Sequence, residues 1–374
     1  MTLELKNTTP LDFATHTHGS ELPGSPQEIE GELVVTSHAH AHAVATDPDS
    51  FSSRVSRFMQ LPNGLDGEEH TRFRALIDAY LSDSAVAGFA QAFERTAREV
   101  VGELQGRATI DAVSELGTPF AVRAMMAWLG WPEEMARRLV QWVADNNAAT
   151  RSGELAQTAE VAERFDALIA EAIEATKGTD TVTAQLVQDV SLGRRLRFEE
   201  VVSILRNWTA GDLSSMAYCV GVIVDQLARN PQLAQRLRSG VSDAEFGAIA
   251  DEMLRIDDPF VSNRRVTTCP VDIGGVAVPE GTRVRIHWTA ANRDPQVFPD
   301  PAGFNPSENA DKNLVWGAGP HKCPGRSLSM VELRALVDQL LARVELAHPG
   351  DGSAEREIHP VGGWSKRPIT LIWR

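Results

Sequence analysis

One of the three cysteines, Cys323, lies in a glycine-rich loop that leads into an apolar helical pattern. The loop, residues 316–326, has the sequence WGAGPHKCPGR. Apolar residues then recur every three or four positions over residues 328–344, which predicts a core helix. Pro324 suits the first position of that helix, so we expect Cys323 at a helix N-terminus, where backbone N–H groups and the helix dipole favour a thiolate.

The same loop is built to approach another group closely. Glycine lets the backbone turn tightly and lie against something flat or bulky. Three loop positions are glycine: Gly317, Gly319 and Gly325. The sequence therefore predicts a loop that presents one anionic sulfur to a metal.

This run resembles the haem-binding loop of the cytochrome P450 superfamily, Phe-Gly-x-Gly-x-His-x-Cys-x-Gly. Every fixed position is matched except the first, where Trp316 replaces Phe. Two other interpretations are a buried structural cysteine beside a glycine loop and half of a zinc site formed by His321 and Cys323. Zinc is usually held by four ligands that include a second Cys or His pair at short spacing, and no such pair follows.

The resemblance implies one haem domain over residues 1–374, mainly α with a minor β region, in which a triangular prism of helices surrounds a buried haem. The β-rich parts are expected at about residues 31–37, 260–287 and 345–374. The cofactor implied is a non-covalent haem b (iron protoporphyrin IX) with Cys323 as the axial metal ligand, and Trp316 and Gly317 lie in the loop around it. The implied reaction inserts one oxygen atom of O2 into a small, mostly apolar organic substrate by hydroxylation or O-demethylation.

Composition limits the partners. The chain has 374 residues, 43% of them hydrophobic, and a formal net charge of −15, which argues against nucleic acid as a partner. Three cysteines cannot form a disulfide framework, so we expect a reducing cytoplasm. Residues 1–10 lack the pattern of a signal peptide and the roughly 20 apolar residues of a membrane span, so we expect no membrane partner.

A histidine and an arginine stand four residues apart in a predicted helix, His70 and Arg74, and therefore share a face. They resemble the family's pair that holds the haem propionates, and the resemblance adds Arg265 and His321 to that set. A cationic set suits two buried carboxylates, because an unpaired charge in a low-dielectric site is costly. Taken alone, the helical pair would be an ordinary surface pair beside acidic neighbours.

Residues 198–229 predict a long helix of about 45 Å. Its middle contains poor helix formers, so two separate helices are the alternative. The run resembles the family's oxygen-binding segment, Ala-Gly-x-(Asp/Glu)-Thr, with Ala210 and Gly211 matching. Ser214 occupies the threonine position, whereas the carboxylate, Asp212, comes one residue early and is turned by about 100° around the helix. Proton delivery is therefore assigned to Ser214 with Asp212, Ser215 or water.

The substrate pocket is expected to be compact and mostly apolar, with one polar anchor. By residue type and by resemblance, its lining is Trp208, Ala210, Gly211, Val261 and Asn263. Residues 146–153 are expected to form a polar loop between two lid helices. Glu252 and Arg255 match the family's Glu-x-x-Arg pair, and Arg293 is a candidate for its third partner.

The remaining elements follow from periodicity and turn residues. Further helices are expected at residues 39–45, 89–104, 122–130, 133–147, 154–177 and 244–256. Strands are expected near residues 31–37, 265–268, 272–276 and 281–286, with a hairpin turn at Gly274 and Gly275 and a final hairpin over residues 361–368. Residues 1–30 are expected to wrap the surface loosely.

Electrons must come from a separate protein, because the haem domain implied by the resemblance contains no flavin or iron–sulfur module. A ferredoxin or flavodoxin-type donor with its reductase is expected to dock near Lys322, Arg326 and Arg72. Three alternatives remain open. They are a peroxygenase that uses hydrogen peroxide, an enzyme of this fold that catalyses non-oxygenative or coupling chemistry, and a non-catalytic haem-binding sensor.

Overall fold

The computed structural model describes residues 26–29, 31–349, 353–358 and 361–374. Within them the chain is mainly helical with small sheets, which confirms the predicted fold class. The expectation for residues 1–30 falls almost entirely outside the described residues. No helix in the described part of the chain combines the length and the apolar character that a membrane crossing requires.

The helices of the described residues are α1 (His38–Thr46), α2 (Gly67–Leu81), α3 (Asp83–Ala87), α4 (Ala90–Glu103), α5 (Thr118–Leu129), α6 (Ala136–Ser152), α7 (Leu155–Ala175), α8 (Val182–Gln188), α9 (Phe198–Arg229), α10 (Pro231–Arg238), α11 (Asp243–Ile256), α12 (Trp288–Ala291), α13 (Pro306–Asn309) and α14 (Arg326–Leu341). The strands are β1 (Gln27–Ile29), β2 (Glu32–Val35), β3 (Phe51–Ser52), β4 (Thr109–Asp111), β5 (Ser262–Thr267), β6 (Val271–Ile273), β7 (Val276–Val278), β8 (Arg283–His287), β9 (Val344–Ala347), β10 (Glu355–Arg356), β11 (Trp364–Lys366) and β12 (Pro368–Trp373).

These elements belong to two compact units. The first, called here the sheet unit, is drawn from residues 1–71, 241–324 and 356–363. The second, called here the helical unit, is drawn from residues 72–240, 325–355 and 364–374.

The sheet unit is built on a five-stranded sheet with the order β1-β2-β8-β5-β3. β2 runs parallel to β8, and β5 runs antiparallel to β8 on its other side. The carboxylate of Glu32 on β2 accepts hydrogen bonds of 2.6 Å from Arg264 on β5 and from Arg285 on β8. The apolar core of this unit lies between the sheet, α1 and the cysteine loop, and includes Val35 and Ala318.

The helical unit contains α9, whose bounds match the prediction. The alternative of two helices is wrong, because α9 continues through its weak helix formers without a break. Most residues of α9 are buried, and most helical stability comes from such packing rather than from local propensity. A three-stranded sheet, ordered β4-β12-β9, completes the unit.

The predicted final hairpin over residues 361–368 is wrong, because β11 pairs with β10 whereas β12 pairs with β4 and β9. Two of the predicted helices differ in their boundaries. α5 begins at Thr118, directly after a π-helical turn over Ala112–Gly117, and is therefore longer than predicted. α6 continues to Ser152, so the predicted loop over residues 146–153 is wrong. The connection to α7 is only Gly153 and Glu154, where Gly153 adopts φ +68° and ends the helix.

Candidate active site

The cysteine loop lies in the sheet unit and is shaped by two left-handed glycines. Gly317 and Gly319 have φ values of +71° and +69°. A Cβ atom at Gly319 would lie 2.4 Å from the carbonyl oxygen of Ala45, at the end of α1. Only glycine therefore allows the loop to lie this close to α1.

The backbone of the loop closes on itself around Cys323. The Cys323 N–H donates to the carbonyl oxygen of Trp316 at 2.8 Å, and the Lys322 N–H donates to that of Gly319 at 3.0 Å. The indole Nε1 of Trp316 donates to the Asp251 carboxylate at 2.6 Å, which ties the loop to α11. Cys323 is not part of a disulfide and is only partly buried.

The predicted start of the helix after the cysteine is wrong. α14 begins at Arg326, and Gly325 is its N-cap, so Pro324 precedes the helix rather than opening it. Cys323 is three residues before the first helical residue along the chain. The backbone contacts of Cys323 are thus those of the closed loop described above.

The predicted Glu252–Arg255 pair is fully buried in the sheet unit. Two hydrogen bonds of 2.8 and 2.9 Å join the guanidinium to the carboxylate. Arg255 also donates to the backbone oxygens of Asn292, Pro301 and Gly303 at 2.9 to 3.0 Å. The pair therefore fixes the chain that precedes the cysteine loop.

Arg293 is not the third partner of this pair, contrary to the prediction. The remaining partners of Glu252 are the N–H of Asn305 at 2.9 Å and the amide of Asn309 at 2.7 Å. Arg293 instead donates to the backbone oxygen of Ile256. Two asparagines thus occupy the place that an arginine was expected to fill.

Three of the predicted propionate-binding residues lie close together in the sheet unit. The rings of His70 and His321 have centroids 4.2 Å apart. The Nε2 atom of His321 lies 2.9 Å from the hydroxyl of Ser53 and 3.7 Å from the carboxylate of Asp66. Burial, followed by repulsion from His70 and Arg265, lowers the pKa of His321 to about 4.

Arg265 supplies the permanent charge of this cluster. It is 7% exposed, and its Nη1 donates to the backbone oxygen of Arg264. Among the described residues no carboxylate lies within salt-bridge distance of its guanidinium. Burial lowers the pKa of Arg265, although the charge of Asp66 opposes this. Arg265 therefore places a buried positive charge beside the two histidines, which suits a bound carboxylate.

Arg74, the fourth predicted propionate residue, lies on α2 in the helical unit. Its Nε donates to the carboxylate of Asp78, one turn further along the helix, at 2.6 Å. To bind a haem propionate as predicted, the Arg74 guanidinium would have to do so while it keeps its ion pair with Asp78.

Two of the predicted pocket residues lie on or beside β5. Val261 is buried and precedes the strand. The side-chain oxygen of Asn263 accepts a hydrogen bond of 2.6 Å from the indole of Trp288. An indole N–H is a donor only, so the atom facing it must be the amide oxygen. The NH2 group of Asn263 remains as a donor.

The middle of α9, in the helical unit, presents a face of small residues. Ala210 and Gly211 are exposed, whereas Ser214 and Ser215 are half-buried. The hydroxyl of Ser214 donates to the side-chain oxygen of Asn147 on α6 at 2.9 Å. This contact could not be predicted, because nothing in the sequence pairs these two residues.

Asp212 does not lie on the face that carries Ser214. They are two positions apart, about 200° around the helix, and the Asp212 side chain is directed into the core of the unit. Burial raises its pKa to about 7. The predicted relay from Asp212 to Ser214 therefore has no direct geometric support.

Asp212 instead faces Glu332 of α14, which the sequence reasoning missed. Burial and the charge of Asp212 raise the pKa of Glu332 well above its usual range. Oδ2 of Asp212 and both carboxylate oxygens of Glu332 are buried without a hydrogen-bond partner among the described residues. The sequence does contain a signal of this buried acid. Glu332 lies four residues from both Leu328 and Leu336, on the apolar side of its helix.

Trp208 packs against aromatic side chains in the core. It is 8% exposed, and its ring lies 5.0 Å from that of Trp128 and 5.6 Å from that of Tyr80. These are centroid distances for tilted aromatic pairs in a core. Trp208 and Gly211 are three residues apart on α9 and share a face, so the role of Trp208 in lining the pocket stays a prediction.

Comparison with known proteins gives one consistent family. The family described as Cytochrome P450 matches residues 246–373. The probable cytochrome P450 127A1 of Sinorhizobium fredii is 27% identical over 341 residues, which are 89% of this chain and 81% of that protein. The 6-deoxyerythronolide B hydroxylase of Saccharopolyspora erythraea is 28% identical over 319 residues, with coverage of 82% and 76%.

Solved structures agree on the fold. The open form of cytochrome P450 EryK from S. erythraea has a TM-score of 0.84 at 22% identity and covers 93% of both chains. CYP109E1 from Bacillus megaterium, in complex with testosterone, has a TM-score of 0.82 at 20% identity, with coverage of 93% and 94%. Because the loop motif, the fold and the relatives all agree, this chain belongs to the cytochrome P450 superfamily, and it is an enzyme of the cytochrome P450 monooxygenase class.

Proposed function

We propose that this enzyme is a haem-thiolate monooxygenase that hydroxylates or O-demethylates a small, mostly apolar organic substrate. The overall reaction for a hydroxylation consumes RH, O2, two electrons and two protons, and yields ROH and water. The observation that carries the proposal is the closed loop around Cys323, which matches the family motif and leaves the cysteine partly exposed.

The residues present fit a haem. Cys323 would supply a thiolate ligand, and Trp316 and Gly317 would lie in the loop around it. Bound haem supplies oxygen activation, which a thiolate ligand favours by donating electron density. The buried guanidinium of Arg265, together with the ring nitrogens of His70 and His321, supports their role in holding the propionates, and Arg74 would add a further guanidinium.

Residue types and free hydrogen-bonding groups limit the substrate. Val261, Ala210 and Gly211 offer apolar contacts and little bulk. The amide NH2 of Asn263, whose oxygen is already used by Trp288, would donate to an acceptor on the substrate. We therefore favour an apolar substrate with a carbonyl, ether or hydroxyl oxygen.

Two protons are needed for each turnover, and the chain offers hydroxyls rather than a neighbouring carboxylate to deliver them. Ser214 would donate a proton directly in the active site, and Ser215 or water would then supply a proton to Ser214. Electrons would come from a ferredoxin or flavodoxin-type donor and its reductase in the cytoplasm.

The test of this proposal begins with the reduced protein under carbon monoxide. We expect an absorption band near 450 nm, which reports a thiolate ligand, and its loss in Cys323→Ser. Turnover with a ferredoxin system under ¹⁸O2 should then place one labelled atom in the product of a responsive substrate. A parent protein without the 450 nm band, or an unchanged band in Cys323→Ser, would contradict the proposal.

A second candidate is a peroxygenase, which converts RH and H2O2 to ROH and water. It is favoured by the direction of Asp212, because peroxide brings both protons with the oxidant and needs no relay from a carboxylate. Turnover with hydrogen peroxide, compared with turnover with dioxygen and the ferredoxin system, distinguishes the two. Faster turnover with peroxide would favour the second candidate.

A further inference from the structure

One hydrogen bond joins α6 to the small-residue face of α9. The Ser214 hydroxyl donates to the side-chain oxygen of Asn147 at 2.9 Å, and both residues are half-buried. Asn147 has no place in the family motifs of the sequence, and nothing else described above assigns it a role. Its contact is nevertheless with the hydroxyl to which we assign proton donation.

α6 and α7 form one packed body. Trp142 stacks on Phe165 with centroids 3.8 Å apart, and its indole donates to the backbone of Val161. Arg138 and Glu171 form a bidentate ion pair of 2.7 and 2.8 Å between the two helices. These contacts hold the first half of α6, before Asn147, against α7.

This pair is joined to α9 by a second polar contact. Arg206 of α9 makes two hydrogen bonds of 2.6 Å to Asp166 of α7. Ser214 lies eight residues further along α9, about 12 Å away along the axis. Beyond Val143, α6 buries only Ala149, so the end that carries Asn147 is the less anchored half of the helix.

The chemistry of a hydroxyl makes this contact consequential. Serine has one O–H proton and two lone pairs. While that proton is donated to Asn147, the oxygen of Ser214 can accept hydrogen bonds but cannot donate elsewhere. The role of Ser214 as a proton donor requires the opposite state.

We propose that Asn147 is a positioning residue that sets the donor state of the Ser214 hydroxyl. With Asn147 in contact, the proton is directed toward α6. When α6 and α9 separate at this point, the hydroxyl is released to donate on the small-residue face. A substrate that displaces the Asn147 end of α6 thereby switches on proton donation. This inference rests on the proposed role of Ser214.

The first experiment measures the contact itself, in the absence of any substrate. Unfolding of the haem-bound protein is compared for Asn147→Ala, Ser214→Ala and the double variant. We expect the two changes to be coupled by about two- to tenfold in the unfolding equilibrium constant, as for one net hydrogen bond. Strictly additive effects would overturn the proposed contact.

The second experiment measures the donor state with carbon monoxide as the probe. The C–O stretching frequency of the reduced, carbon monoxide-bound protein falls when a nearby hydroxyl donates to the ligand. We expect Asn147→Leu to add or strengthen a lower-frequency band, because the Ser214 proton is released. Asn147→Asp keeps an acceptor and should resemble the parent, and Asn147→Ala replaces Asn147→Leu if leucine prevents folding.

Two controls make the result specific. Asn146, the preceding residue on α6, has no hydrogen bond to α9 among the described residues, so Asn146→Leu should leave the spectrum unchanged. In a Ser214→Ala background, Asn147→Leu should have no further effect. An unchanged spectrum in Asn147→Leu, or an effect that persists without the Ser214 hydroxyl, would overturn the inference. Failure of the proposed function is recognised separately, by the absence of the 450 nm band in the parent.

Discussion

Two glycines of the cysteine loop share a backbone conformation but differ in their surroundings. Gly317 and Gly319 both have φ near +70°, which costs a residue with a side chain about 1–2 kcal/mol. A Cβ at Gly317 would have no neighbour closer than 3.9 Å, whereas one at Gly319 would overlap the backbone of α1 at Ala45. An alanine at Gly317 would therefore introduce backbone strain alone, whereas an alanine at Gly319 would introduce the same strain together with a steric clash.

We expect Gly319→Ala to be the more damaging of the two alanine substitutions. The overlap adds about 1–3 kcal/mol to the strain, so the total loss in unfolding free energy should be about 3 kcal/mol, against about 1–2 kcal/mol for Gly317→Ala. Chemical unfolding of the haem-bound protein measures this difference, and the 450 nm band reports whether Cys323 still binds iron. Equal losses for both variants would show that the contact with α1 does not constrain the loop.

At the scale of elements, periodicity and family motifs predicted which segments are helices. The bounds of α9 were predicted correctly, because apolar residues recur along its whole length and bury it. What failed were features decided by packing between elements. The partners of Arg255 are backbone carbonyl groups, which have no sequence signature, and the asparagines at 305 and 309 took the place expected for Arg293.

The sequence also could not predict every side-chain contact on a correctly predicted helix. The family segment predicts an acid at position 213, whereas Asp212 comes one residue earlier. Its side chain therefore points to a different side of the helix from the family's acid. Its partner, Glu332, is 120 positions away and could be found only once α9 and α14 were packed. The aromatic neighbours of Trp208, Trp128 and Tyr80, likewise have no signature in the sequence.

The Asp212–Glu332 pair gives the helical unit a defined pH dependence. Burial raises the pKa of Asp212 from 3.8 to about 7 in the folded protein. Between these values the unfolded chain releases the proton while the folded protein retains it, so stability decreases as pH rises from about 4 to about 7. Among the described residues, burial alone shifts the pKa of Asp212, and the charge that acts on Glu332 is that of Asp212, so the pair contains no compensating cation.

We therefore expect Asp212→Asn to stabilise the protein at pH 8 relative to the parent, by up to about 4 kcal/mol, and to have little effect at pH 4.5. The neutral amide removes the penalty of a buried acid that must either keep a proton or ionise without a partner. Thermal unfolding at both pH values measures the difference. As a matched control, Asp145→Asn changes an acid of α6 whose pKa is lowered by hydrogen bonds from Gln141 and Arg164, and should not stabilise at pH 8. If the stability of the parent and that of Asp212→Asn changed with pH in the same way, the raised pKa of Asp212 would be contradicted.

At the scale of the whole molecule, charge bears on the choice of electron donor. The net charge of −15 repels an acidic ferredoxin or flavodoxin at long range. Productive docking therefore depends on local positive charge, and two basic residues, Lys322 and Arg326, flank Cys323 in the sequence. Complementary charges at an interface mainly raise the association rate and make it sensitive to salt.

We expect Lys322→Glu and Arg326→Glu each to slow reduction by an acidic ferredoxin by about tenfold or more at low ionic strength, since each change reverses a charge that the donor would meet. Reduction by dithionite and the spectral response to a bound substrate should stay as in the parent, because neither requires docking. Lys177→Glu is the matched control, because Lys177 is an exposed lysine of the helical unit that lies far from Cys323 in the sequence. The difference between the parent and the two variants should shrink as salt is added and screening removes the attraction. Equal reduction rates for the Lys322, Arg326 and Lys177 variants would rule out docking beside the cysteine loop.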